Sequence, residues 1–309
     1  PTRRRRQRQM CIRDRYSCMK AVERFAKENR DAPPLILGCP WIVNNACYNA
    51  AILIEQGAIS HVFTKRALPN YDVFDEKRYF IEGNHNNVLT LGGHHLLITI
   101  CEDLWVLSPQ QLIGKSLDSG TSLSAVINLS ASPYAKSQQG EREKAIAHFA
   151  KEANSLVAYC NQTGANTELI FDGKSGIYGE NGPLSLAPAF TSCSLDINTS
   201  ALGYNNQVND PWEEEVLQAL TMGMRDYFDK LHLSQAILGL SGGIDSALVA
   251  YIACRAIGAE NVLGVLMPSE FSSDHSVNDA LAIAQQLGMP TKTLPIQVCF
   301  TQTKESLRK

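Results

Sequence analysis

Gly239-Leu240-Ser241-Gly242-Gly243-Ile244-Asp245-Ser246 is the stretch whose reading decides the fold. It follows a short apolar run, Ala236 to Leu240, that reads as a buried strand, and it opens into Ala247 to Cys254, apolar enough for a buried helix. A strand, a turn of small residues and a helix N-terminus make an anion cradle. The first amides of a helix have no partner within it, glycine lets the main chain approach closely, and the helix dipole favours negative charge. The Gly-Lys-Ser/Thr ending of a Walker A loop is absent. Downstream, Val262 to Met267 reads as the next strand and runs into Pro268-Ser269-Glu270-Phe271-Ser272-Ser273. A helix containing Asp279 and Ala280 to Leu287 follows, then a third strand, Thr291 to Ile296. In open parallel sheets ligands bind at strand carboxyl ends, where both small-residue loops fall.

SGGIDS resembles the PP-loop of the ATP pyrophosphatases, which release pyrophosphate and leave AMP on an activated carboxylate or carbonyl. The resemblance implies ATP as co-substrate, residues 239–246 as its binding loop, and Asp245 helping to hold a Mg²⁺ on the phosphates. It also places the MPS…SS loop beside the adenosine. The bland alternative is a Gly-Ser turn between a strand and a helix.

A second centre lies upstream. Lys65 ends the apolar stretch Ser60 to Thr64 and precedes Arg66-Ala67-Leu68-Pro69-Asn70-Tyr71-Asp72-Val73-Phe74-Asp75-Glu76. Leu96 to Ile100 reads as a buried strand ending at Cys101-Glu102-Asp103-Leu104-Trp105. A thiol at a strand's carboxyl end, beside a turn, is well placed as a nucleophile; taken alone it reads as a small buried hydrophobe. Together the two segments resemble the nitrilase, or carbon–nitrogen hydrolase, superfamily with its Glu–Lys–Cys triad. The wording KRALPNYDVFDEKRYF followed by ICEDLW is more similar still to the glutaminase domain of the glutamine-dependent NAD⁺ synthetases. This resemblance implies that Cys101 attacks the side-chain amide of L-glutamine and that Lys65 and the Glu102 amide hold the oxyanion. It makes Glu76 a second, supporting glutamate and Tyr71 and Ser132 glutamine contacts, with Lys136 or Arg142 as the basic residue nearby. The family's first glutamate, its general base, has no match in the chain. The 309 residues as written are therefore expected to be inactive, a piece truncated at both ends. The parent reaction implied is amidation of deamido-NAD⁺ through an acyl-adenylate, by an enzyme expected to be a homo-oligomer at full length. The alternatives are a non-catalytic fragment that at most binds nucleotide, or another PP-loop amidotransferase.

Length suggests about two domains. The sequence divides into a nitrilase-like α-β-β-α sandwich over 16–195 with its first elements missing, a polar Asn/Ser-rich linker over 196–211, and an incomplete Rossmann-like parallel-sheet domain over 212–309. Within the first, a helix is expected from Tyr16 to Asn29, strands at Leu35–Gly38 and Tyr48–Ile54, and hairpin turns at Asp172-Gly173 and Asn181-Gly182. Residues 1–15 hold seven arginines, which alone would suggest a nucleic-acid-binding arm. However, Arg5 to Asp14 back-translates to a transposase sequencing adapter, so the segment is read as a processing scar. Without it the chain is more acidic than its formal net charge of −3, which excludes nucleic acid as a partner. No apolar run approaches membrane-spanning length. The 9 cysteines are scattered without CxxC pairs, pointing to free thiols in the cytoplasm and away from zinc.

Overall fold

A computed structural model of the chain describes residues 2–84, 87–117, 121–136, 138–198, 211–270 and 272–307. The chain divides into two compact units, residues 1–162 with 173–207, and residues 163–172 with 208–309. Most of the stretch read as a linker, 199–210, lies outside the described residues. Among the described residues no helix is long and apolar enough to cross a membrane.

The first unit begins with α1 (Thr2–Glu28), one continuous helix through the segment read as a scar and the helix expected after it. Three antiparallel strands follow: β1 (Leu35–Val43), β2 (Ala46–Glu55) and β3 (Ala58–Thr64). β1 runs past the expected end at Gly38 and through Pro40, because it is an edge strand and a proline there removes no central ladder bond. Asn44-Asn45 and Gln56-Gly57 connect the three strands as two-residue turns with positive φ throughout, the geometry that matches strand twist.

A six-stranded sheet, in the order β11-β10-β7-β6-β5-β4, forms the next layer. Its strands are β4 (Val88–Leu91), β5 (His94–Ile100), β6 (Ala125–Ser130), β7 (Val157–Asn161), β10 (Gly176–Gly179) and β11 (Gly182–Leu186). β5, β6 and β7 are parallel, and so place three strand ends side by side. The short helices α2 (Asp103–Val106) and α3 (Pro109–Ile113) follow β5, and α4 (Gln138–Ala153) joins β6 to β7.

Period-two alternation assigns the faces. Ala50, Ile52 and Ile54 meet Val22 and Ala26 of α1, whereas Ala51 and Leu53 of the same strand meet Ile98 and Ile100 of the second sheet. On the far side of that sheet Leu97, Val126 and Val157 pack on Ile146, Phe149 and Ala150 of α4. The result is an α-β-β-α sandwich. β2 reads as a continuous apolar run because both of its faces are covered. The β10–β11 turn falls at Glu180-Asn181, one residue earlier than expected, since Gly182 already pairs with Gly179. Asp172-Gly173 is not a hairpin turn.

Instead, β8 (Thr163–Asn166) and β9 (Leu169–Asp172) turn at Thr167-Glu168, and this hairpin groups with the second unit. It lies on α5 (Trp212–Lys230), where the Ala165 amide donates to Asp226 Oδ2 at 2.6 Å and the Lys230 ammonium donates to the Ala165 carbonyl. The rest of the unit is a parallel sheet of β12 (Ala236–Gly239), β13 (Val262–Leu266) and β14 (Thr291–Thr293), with α6 (Ile244–Ile257), α7 (Asp274–Leu287) and α8 (Gln297–Ser306). β14 is shorter than expected. Ala250, Ala253, Ala280 and Ala284 let α6 and α7 pack closely against Val262 and Leu266.

Candidate active site

In the first unit, Lys65 follows β3 directly and its amide donates to the Asn49 carbonyl at 2.8 Å. Its side chain is 1 % exposed, and Nζ lies 2.7 Å from Glu76 Oε1. Cys101 follows β5 directly with φ +45°, a left-handed backbone that is strained in a residue with a Cβ. Its amide donates to the Leu129 carbonyl at 2.9 Å. Lys65, Glu76 and Cys101, 36 residues apart at their extremes, thus line one cavity of about 490 Å³, with Ser130 and Asn161 on the same wall. Among the described residues Glu76 Oε2 is buried without a hydrogen-bond partner.

Burial pushes the Cys101 thiol up, the Lys65 charge and a hydrogen bond with Ser130 pull it down, and the charges of Glu102 and Glu76 push it up again. Ser130 is itself held in a directional chain. Its hydroxyl has one proton to share between the Cys101 sulfur and Asn128 Oδ1, 2.7 Å away; the Asn128 amide donates to Thr99 Oγ1 at 2.8 Å, and the Thr99 hydroxyl donates to the Ile127 carbonyl at 3.3 Å. Ser130, Asn128 and Thr99 were not singled out in the sequence. The available signal was polar residues at the carboxyl ends of otherwise apolar strands.

The other expected contacts are placed differently. The Tyr71 hydroxyl donates to Glu102 Oε1 at 2.7 Å. Although more than half of the Tyr71 residue is exposed, burial and the Glu102 carboxylate push its hydroxyl up to about 12. Ser132 is held through its backbone: its amide donates to Asn161 Oδ1 at 2.9 Å. Lys136 is exposed. Arg142 is buried in α4 with its guanidinium 5.9 Å from the centre of the Tyr159 ring, a packing position. Tyr71, Ser132 and Lys136 are not among the residues that line the cavity, although the Tyr71 hydroxyl is near enough to Cys101 to respond to its charge.

In the second unit the loop after β12 leads into α6 as expected. Gly243 is the N-cap and supplies no side-chain acceptor, so the helix's first amides face outward uncapped. Ser241 and Ser246 brace the loop: their hydroxyl oxygens lie 3.1 Å apart, and Ser246 Oγ donates to the Gly243 carbonyl at 2.9 Å. Gly242 has φ +82°, and the Ser276 backbone at the start of α7 lies against it. A cavity of about 460 Å³ opens between Gly239–Ser241 and the Met267–Pro268 and Ser272–Ser273 segments. Asp245 is exposed in the first turn of α6. Among the described residues no cluster of three His, Cys, Asp or Glu side chains could hold a metal. A single carboxylate suits a Mg²⁺ that draws its remaining ligands from phosphate oxygens and water.

The profile of the NAD synthase family matches residues 216–309. A glutamine-dependent NAD(+) synthetase from Synechocystis sp. is 45 % identical over 266 residues, covering 81 % of this chain and 47 % of the relative. The chain is a homologue of the glutamine-dependent NAD(+) synthetases. The synthetase from Thermotoga maritima is 33 % identical over 327 residues, covering 94 % of this chain and 56 % of the relative. The solved structure of the synthetase from Acinetobacter baumannii, in complex with adenosine diphosphate, superposes with a TM-score of 0.84 at 33 % identity, covering 94 % of this chain and 55 % of that one. The chain spans about half the length of the curated relatives it matches.

Proposed function

We propose that the chain carries the glutamine-cleaving site and the ATP-binding loop of a glutamine-dependent NAD⁺ synthetase. The observation that carries this reading is the buried Lys65 ammonium, 2.7 Å from Glu76, on the wall of the cavity that Cys101 lines. An ammonium held in a desolvated site stabilises both a thiolate and an oxyanion. Cys101 Sγ attacks the side-chain carbonyl carbon of glutamine, and Lys65 with the Glu102 amide holds the oxygen as it gains charge. The thiol proton passes to the amide nitrogen, the C–N bond breaks and ammonia leaves; water then adds to the thioester, releasing glutamate and returning a proton to the Cys101 sulfur. Asn161 holds the Ser132 turn at the cavity's edge, and Tyr71 anchors Glu102.

In the second unit, the open N-terminus of α6 and the braced Ser241–Ser246 loop support binding of the ATP phosphates; the ADP complex of the Acinetobacter baumannii relative favours the same assignment. The carboxylate of deamido-NAD⁺ attacks the α-phosphorus, pyrophosphate leaves, and ammonia displaces AMP from the acyl carbon to give NAD⁺. A Mg²⁺ held through Asp245 would neutralise charge on the departing pyrophosphate.

The test is product identity. In a protein extended to the length of its relatives, deamido-NAD⁺, ATP and free ammonium are expected to give AMP and pyrophosphate; ADP and phosphate would overturn the adenylation reading. Glutamine is expected to protect Cys101 from alkylation, and failure to protect would remove the glutaminase reading. Asp245→Asn is expected to weaken the Mg²⁺-dependent part of ATP binding about tenfold, by loss of a charged ligand. An unchanged metal dependence in a titration of ATP against Mg²⁺ would discard Asp245 as the ligand.

A further inference from the structure

Asp103 is fully buried, and both of its oxygens are committed to backbone amides. Oδ1 accepts from Arg66 N at 3.0 Å and Ala67 N at 2.7 Å, and Oδ2 accepts from Ile100 N at 3.1 Å. Arg66 and Ala67 follow Lys65 where the chain leaves β3 in the first sheet. Ile100 precedes Cys101 where the chain leaves β5 in the second. The rest of the contact between these two sheets is mainly apolar, Ala51, Leu53 and Phe63 against Leu89, Ile98 and Ile100, with one long hydrogen bond from the Asn87 side-chain amide to the Thr64 carbonyl at 3.4 Å. Apolar contact is non-directional and sets no fine register between the sheets. Three charge-assisted hydrogen bonds to one carboxylate do set it.

We propose that Asp103 is a positioning residue that fixes Lys65 relative to Cys101 by tying the two strand ends to one carboxylate. The proposal rests on reading Cys101 as the nucleophile. The side chain must be a carboxylate, because a site that receives donors on both sides needs two acceptor oxygens. An asparagine can satisfy either the Arg66–Ala67 side or the Ile100 side, and it turns its own N–H groups toward donors on the other. The fold keeps this acid although burial pushes its carboxyl up to about 6 against the pull of the three amides and the Lys65 charge. The neighbouring charges are directed elsewhere: the Arg66 guanidinium donates to the Gln111 carbonyl at 2.6 Å, and Glu102 accepts from Tyr71.

Site-resolved alkylation of the full chain by iodoacetamide tests the proposal without requiring turnover. The thiolate is the reacting form, so a Lys65 that drifts from Cys101 lowers the rate at fixed pH. Asp103→Asn is expected to slow Cys101 alkylation at pH 8 about tenfold, the effect of one pKa unit. Cys47, buried in β2 away from the cavity that Cys101 lines, should stay as protected as before. A role in charge alone predicts the opposite sign, since losing a negative charge near Lys65 favours the thiolate. Cys101 labelled as fast as, or faster than, in the unchanged chain, with Cys47 still protected, would overturn the proposal. If Cys47 becomes labelled, Asp103→Asn has unfolded and Asp103→Glu replaces it. That variant keeps the charge and both acceptors but carries them one methylene further. Placement predicts the same slowing, and an unchanged rate is again fatal. Failure of glutamine to protect Cys101 in the unchanged chain discards the glutaminase reading on its own, because the alkylation comparison uses no glutamine.

Discussion

Cys101→Ala leaves no covalent adduct when the chain is treated with a glutamine-shaped chloroketone, whereas the unchanged chain takes up one label at Cys101. This is the expected result because Cys101 lines the cavity at a strand end, where its thiol feels the charge of the buried Lys65. Cys39 and Cys160 also touch that cavity, and they make the comparison demanding. Substantial labelling of either in the Cys101→Ala chain would mean that the cavity, not the position, confers reactivity. Lys65→Met is the graded companion. It removes a fixed donor at the point where the oxyanion forms, which costs about 10²–10³-fold in rate at such sites. It also leaves Glu76 without its counter-ion. Breaking a fully buried pair costs about 3–5 kcal/mol, but the Glu76 side chain is 19 % exposed, so the loss should fall below that range. Labelling rate and unfolding free energy, measured on the same preparation, separate the two effects. A Lys65→Met chain labelled at the unchanged rate would show that the ammonium does not act on the thiol.

Gly242→Ala abolishes ATP binding, and Gly243→Ala does not. A Cβ on Gly242 would overlap the Ser276 carbonyl oxygen and lie 2.9 Å from its carbon and 3.0 Å from Cα. Those are backbone atoms of the first turn of α7 and cannot rotate away. The φ of +82° adds the left-handed penalty of about 1–2 kcal/mol, and the forced displacement adds about 1–3 kcal/mol. The loop or the start of α7 has to move, and both border the cavity assigned to the nucleotide. Gly243 is the contrasting case: it has φ −81°, and a Cβ there would meet the Ser241 hydroxyl at 3.4 Å, an ordinary contact. Equilibrium binding of ATP with Mg²⁺, read by calorimetry on both variants, decides the matter. Equal binding by the two would show that the close approach of α7 has no part in forming the loop.

What the sequence determined by itself is local. The strand, glycine turn and helix around Ser241–Ser246 were legible because glycine φ freedom, small side chains and an apolar run act within a few residues. The position of Cys101 at a strand end was legible for the same reason. Tertiary structure alone decided the rest. Pro40 reads as a terminator until β1 proves to be an edge strand, where the missing amide is tolerated. The Asp172-Gly173 pair reads as a hairpin turn, yet the hairpin turns at Thr167-Glu168 and lies on α5, a helix that nothing within Thr163–Asp172 announces. Asp103 is the sharpest case. Its three partners are backbone amides, groups that every residue but proline carries, and two of them are 36 and 37 residues away. Nothing in a neighbour's identity announces such a bond, so the acid that ties Lys65 to Cys101 emerges only when two sheets stack and bring their strand ends around one buried carboxylate.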